Sequence, residues 1–150
     1  MTKSIHHKFF FPHSAEVVWE YLTKAELMQQ WLMPNDFLPI IGYDFEFRIK
    51  PMPQIDFDGI VYCKVLEITP FKKLSYSWKC GPGQGKITLD SVVVWQLHPK
   101  DKGTELSLEH SGFKEIENYT MYSITGDGWF KNIQKISELI NASKHGTTNP

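Results

Sequence analysis

From Tyr43 to His110 the apolar residues recur at every second position, segment after segment, and after Gly128 they recur every third or fourth. This order of periods restricts the fold more than any other feature of the chain. Tyr43, Phe45, Phe47 and Ile49 alternate with Asp44, Glu46, Arg48 and Lys50, the pattern of a strand with one buried face. Pro51 and Pro53 end it. A longer strand is predicted from about Phe57 to Thr69. Its Tyr62/Leu66/Ile68 and Val61/Val65 sets are both apolar, which a bulge would reconcile. After the turn at 70–73, Leu74, Tyr76, Trp78 and Cys80 share a face. Leu89, Val93, Trp95 and Leu97 do so between 87 and 98, and Thr104, Leu106, Leu108 and His110 do so after a hairpin turn at 100–103. Short connections make such strands antiparallel. Their common apolar face needs a cover. The only long candidate is the segment carrying Trp129, Ile133, Ile136 and Ile140, predicted as one helix over about 126–142.

The N-terminal part adds one strand and two short helices. Ile5, His7, Phe9 and Phe11 alternate up to Pro12. Ser14 reads as an N-cap with Glu16 in the first turn, and Val17, Val18, Tyr21 and Leu22 make the apolar side of the first helix. Thr23-Lys24-Ala25-Glu26 has the form of a capping box, which predicts a second helix running to Trp31. Residues 118–123 fit neither period. The fold class is α+β, in a single domain over 1–150 whose polar tail, about 143–150, is expected to fray.

Charge narrows the function. Formal net charge is −1, and Arg48 is the single arginine among 16 cations. A nucleic-acid binder needs clustered cations, and bidentate phosphate recognition normally uses arginine, so nucleic acid is not an expected partner. No apolar run is long enough for a membrane span, and the N-terminus lacks the pattern of a secretory signal; a cytoplasmic location is expected. Cys63 and Cys80 lie in strand-like segments and read as small buried thiols, with a disulfide left open if the strands bring them together. Gly81 to Gly85 is a flexible turn without the Gly-Lys-Ser/Thr of a phosphate loop. His6 and His7 point to opposite faces of a strand, and no tetrahedral ligand set accompanies them or His13, so neither a metal nor another cofactor is expected. No paired carboxylates or activated nucleophile stand out, and no catalytic residue is assigned.

Four segments, SAEVVWEYLTKAELMQQWLMP (14–34), FDGIVYCKVLEITPFKKLSYSW (57–78), GTELSLEHSGF (103–113) and GDGWFKNIQKISEL (126–139), together resemble the START-like, SRPBCC or Bet v 1-like helix-grip superfamily. Within it the chain looks most like the activator of heat-shock protein 90 ATPase homologues. The resemblance implies a curved antiparallel sheet, two short helices and a long C-terminal helix, with a cavity between sheet and helix that the superfamily uses for sterols, lipids, polyketides or plant aromatics. In the eukaryotic activator a separate N-terminal domain carries much of the chaperone contact; no counterpart of it is expected in this chain, which weighs against chaperone contact as its role.

On that layout Trp31, Phe47, Tyr62, Trp78, Trp95, His110 and Trp129 are the candidate ligand-binding residues. His110 ends an otherwise apolar face, so it reads as a ligand anchor, a proton-moving group, or a core histidine satisfied by a carbonyl or by Ser111. Three functions follow. The first is binding of a lipid-like or aromatic, polyketide-like molecule, with stacking for affinity and His110 or Tyr62 for orientation. The second is a cyclase- or hydratase-type enzyme in the same cavity. The third is a chaperone accessory or stress-response protein acting through its surface. A homodimer is compatible with each of them.

Overall fold

The computed structural model describes residues 2–147, and side chains from 2 to 143. Strand β1 (Thr2–Phe11) is followed by helices α1 (Ala15–Thr23) and α2 (Ala25–Trp31). Five further strands are β2 (Asp44–Arg48), β3 (Ile60–Thr69), β4 (Lys73–Cys80), β5 (Leu89–Lys100) and β6 (Gly103–Lys114), and helix α3 (Tyr119–Thr147) closes the chain. The strands form one curved antiparallel sheet in the order β1-β6-β5-β4-β3-β2.

Register shows why the period of two is so regular. Ile5 lies opposite His110, His110 opposite Val93, Val93 opposite Tyr76, and Tyr76 opposite Val65. These rows face α3. The bulge expected in the long strand is present as a register shift between Val65 and Glu67. Leu66 is the extra residue, and the side chains change face there. Before the shift Val61, Cys63 and Val65 point inward and are buried. Tyr62, opposite Lys79, points outward.

Local signals at the helices are partly overridden. Ser14 caps α1, its side chain accepting from the Val17 amide. The expected capping box does not form. Thr23 is the last residue of α1, and its hydroxyl donates to the Trp19 carbonyl at 2.8 Å. Lys24 takes the N-cap position of α2 with no side-chain bond. A buried threonine satisfied within its own helix has no reason to turn back toward α2.

Helix α3 is longer than the periodicity predicts. It begins at Tyr119, seven residues before the expected start, and its backbone continues to Thr147 through much of the tail expected to fray; residues 148–150 of that tail lie outside the described residues. Asn118 explains the early start. Its carbonyl accepts from the Tyr122 amide at 2.8 Å, its side-chain oxygen accepts from the Lys114 amide at 2.8 Å, and its amide donates to the Thr88 carbonyl at 2.9 Å. One buried side chain thus pins the helix start to the end of β6 and to the β4–β5 connection. The helix packs on β1, β6 and α2 and stands off from β2 and β3.

Trp129, Ile133, Ile136 and Ile140 are all buried, so the stripe of the second half of α3 is the cover that the sheet needs. Trp129 is its largest member. Trp129→Ala is expected to destabilise the protein by about 3–5 kcal/mol, lowering the denaturant midpoint with an unchanged slope. A midpoint near that of the wild type would show that the ring contributes little to holding α3 on the sheet.

Candidate functional site

Three side chains and a backbone carbonyl, from four elements, form a hydrogen-bonded chain under the middle of α3. The Trp129 indole N–H donates to His110 Nδ1 at 3.0 Å. Indole is only a donor, so Nδ1 must be the bare nitrogen and Nε2 carries the proton. Nε2–H then donates to Ser91 Oγ at 2.8 Å, and the Ser91 hydroxyl donates to the Trp78 carbonyl at 2.7 Å. Every proton direction follows from that of the first. His110 is wholly buried, and burial pulls its pKa down from the usual 6.5 to about 3. It is therefore a neutral core imidazole. Its partners are Ser91 and Trp129 rather than Ser111.

Around this chain the rings contact one another edge to face or tilted. Trp129 lies 5.2 Å from Trp78, 5.3 Å from Trp95 and 6.5 Å from Trp31, centroid to centroid. Such separations are those of favourable aromatic pairs. Two more indoles are satisfied inside the protein: Trp31 donates to the Tyr21 carbonyl, and Trp95 to the Tyr76 hydroxyl. Burial raises the pKa of that tyrosine, so it stays protonated. Phe47 continues the layer, 5.4 Å from Trp78.

A cavity of about 260 Å³ opens where α3 stands off from the sheet. Trp78 and Trp129 form its inner wall. Met33, from the segment after α2, and Met52 and Ile55, from the β2–β3 connection, face the first turns of α3 across it. Met121, Thr125, Gly128 and Asn132 supply the helix side. Their spacing of four, three and four residues puts them on one face. Among the described residues, no side chain with an ionisable group lines this space.

The seven sequence candidates therefore separate into three groups. Trp78 and Trp129 line the cavity. Trp31, Phe47, Trp95 and His110 are each at most 1 % exposed and lie in the packed layer around it, where they set the positions of the first two. Tyr62 lies on the opposite face of the sheet, its hydroxyl donating to Asp58 at 3.0 Å, because the register turns it away from α3. Burial, and then Asp58, raise its pKa. The other residues weighed from sequence have ordinary partners. His7 Nε2 bonds the Gly126 carbonyl, His13 Nε2 bonds the Asn141 side chain, and Arg48 pairs with Glu46 at the surface. Cys63 and Cys80 are free, buried thiols whose pKa values burial pushes up, to about 12 for Cys80.

Of the helix side of the cavity, sequence reasoning found Trp129 and missed Met121, Thr125, Gly128 and Asn132. The stripe 121, 125, 128, 132 could have shown them, but two glycines at 126 and 128 read as a helix start instead of a helix interior. The loop residues Met52 and Ile55 carry no periodic signal at all.

A six-stranded antiparallel sheet gripped by a long C-terminal helix, with an apolar cavity between them, defines the helix-grip class. The sequence profile of the family described as activator of Hsp90 ATPase homolog 1-like protein matches residues 12–141, and the chain belongs to that family. No curated protein matches the chain. Among solved structures, protein MLL2253 from Mesorhizobium loti is similar at 31% identity and a TM-score of 0.82, over 93% of this chain and 98% of that one. CalU16 from Micromonospora echinospora shares the fold at 22% identity and a TM-score of 0.70, over 93% and 74% of the two chains. The Aha1 dimer from Colwellia psychrerythraea does so at 17% identity and a TM-score of 0.71, over 91% and 94%. Among the described residues, no helix is long and apolar enough to cross a membrane.

The neutral His110 makes stability depend on pH. Its pKa is about 3 when folded and about 6.5 when unfolded, so below 6.5 the unfolded chain binds the proton that the folded one refuses. This contribution is fully present above pH 6.5 and is lost as pH falls toward 3, by up to about 1.4 kcal/mol per pH unit. Denaturant titrations of the wild type and His110→Gln between pH 7.5 and about 5.5 check this, in the window before most carboxylate titration. The variant should be less stable at pH 7.5 and should lose less on acidification. Parallel pH profiles would mean that His110 does not resist protonation.

Proposed function

We propose that this protein binds a hydrophobic small molecule in the cavity between β2–β3 and α3. The observation that carries the reading is the cavity itself. Elsewhere the aromatic layer is in ring-to-ring contact, and among the described residues every buried side-chain polar atom has a partner. Beside Trp78 and Trp129 about 260 Å³ is left unfilled and lined mostly by apolar groups. Apolar walls that face water instead of side chains stay hydrated at a free-energy cost, and a ligand that covers them removes that cost. Three of the lining residues are methionines, whose flexible thioethers adapt to a guest. Family membership supports the same reading, since the fold closes a sheet against a helix over this space.

The enzymatic alternative receives less support. A cyclase or hydratase needs a group that moves a proton at the substrate. Of the two groups considered for this, His110 lies behind Trp129 and is neutral, and Tyr62 is on the other face of the sheet. The cavity walls offer hydrogen bonds from Thr125 and Asn132 but no acid or base among the described residues.

Burying about 300 Å² of apolar ligand surface yields roughly 7 kcal/mol gross, from which association costs are subtracted. Net affinities should then be on the order of micromolar. Because Trp78 and Trp129 form the wall, a guest must change the tryptophan emission. The test is a fluorescence titration with medium-chain alcohols, fatty acids, flavonoids and small aromatics, alongside native mass spectrometry of freshly purified protein. Saturable quenching by at least one chemical class is expected. No response across all classes, together with no co-purified molecule, would sink the binding reading.

A further inference from the structure

Gly128 is a residue that folding does not explain. It sits inside α3, where glycine is worse than almost any other residue except proline. Its φ is not positive, and a Cβ built there meets no atom within 4 Å. Neither backbone conformation nor close packing requires a glycine. Gly126, two residues earlier, differs: its Cβ would touch Ile5, and its carbonyl accepts from His7. The space that Gly128 leaves open belongs to the cavity, next to Trp129 and between Thr125 and Asn132.

Size and polarity are also on view. An engineered cavity of about 150 Å³ holds one benzene ring, so about 260 Å³ gives room for two fused rings, and a four-ring sterol would extend out through the open side. No ionisable side chain lines the space among the described residues, so a charged ligand would lose its hydration without gaining a counter-charge. The polar side chains on the helix wall are Thr125 and Asn132. Neither has a hydrogen-bond partner among the described residues, and neither is a buried unsatisfied group, so both remain accessible to a guest.

Resting on the binding function proposed above, we infer that the ligand is an uncharged molecule of about two fused rings that lies flat against the bare helix backbone at Gly128, with one hydroxyl or carbonyl group bonded by Asn132 and Thr125. Gly128 sets the room and Asn132 the polarity, so the two are specificity-determining residues. The void and the uncharged wall select size and charge, while the amide, as both donor and acceptor, accepts either polar group.

The test is calorimetric titration with 2-naphthol, naphthalene, 2-naphthoate, phenol, 1-hydroxypyrene and decanol as probes. Wild type should bind 2-naphthol at least about tenfold more tightly than the anionic naphthoate or the four-ring hydroxypyrene. Gly128→Leu should fill the space and weaken 2-naphthol at least about tenfold, while its melting temperature equals or exceeds that of the wild type because a helix former replaces glycine. Asn132→Leu should abolish the preference for 2-naphthol over naphthalene. The inference is overturned if Gly128→Leu binds 2-naphthol as wild type does. It is also overturned if the wild type takes naphthoate, hydroxypyrene or decanol equally well; in both cases the broader binding function stands. Wild type binding none of the six also overturns the inference, and the broader function falls with it only if the fluorescence panel and native mass spectrometry find no ligand either. Gly128→Ala, the smallest change, guards against a leucine that disturbs the helix, and its affinity should fall between those of the other two.

Discussion

The hydrogen bond from Trp129 to His110 is the constraint on which the rest of the structure depends. An indole N–H buried under a helix must find an acceptor, and the apolar sheet face presents few. A neutral imidazole serves because its second nitrogen can pass the requirement on to Ser91, and Ser91 to the Trp78 carbonyl. The chain runs from α3 through β6 and β5 to β4, so it fixes the helix over the centre of the sheet. A charged imidazole would have two donors and could not accept from the indole. Burial and geometry therefore favour the same protonation state.

The position of the cavity follows from that attachment. With α3 held on β1, β6 and α2, the opposite side of the curved sheet diverges from it. Trp31, Trp78, Trp95 and Phe47 fill the space nearest the attachment as a layer of rings paired through Trp31–Trp95 and Phe47–Trp78, and beside Trp78 and Trp129 that layer gives way to the cavity. There the loop after β2 and the segment after α2 close the sides with Met52, Ile55 and Met33. Rigid rings thus border the void on one side and adaptable thioethers on the other, an arrangement suited to holding a flat guest against a fixed wall.

Much of the fold was legible because burial imposes a period that local chemistry cannot easily disguise. Leu74, Tyr76, Trp78 and Cys80, or Thr104, Leu106, Leu108 and His110, could face only one way, and they do. Even the bulge at Leu66 was readable, as a conflict between two alternating sets. What failed was reasoning from local motifs. Thr23 to Glu26 has the letters of a capping box, yet Thr23 is satisfied within α1. Gly126 and Gly128 look like a helix start, yet Asn118 begins the helix two turns earlier through bonds to β6 and to Thr88. Thr88 is 30 residues away in sequence, and no local pattern announces it.

For the site, the sequence by itself determined the composition: a surplus of large rings, one histidine on an apolar face, and too little clustered charge for nucleic acid. These follow from residue type and period, which do not depend on how the elements are docked. The tertiary structure decided which of those rings see empty space. Trp31 and Trp95 have the same pattern as Trp78 and Trp129, but only the latter two border the cavity. Tyr62 and Val61 are neighbours in sequence, and the register of β3 against β4 sends the tyrosine outward. Whether a buried aromatic is core or wall depends on what stands opposite it. That is set by the distance between α3 and the sheet, a quantity that arises only when helix and strands meet.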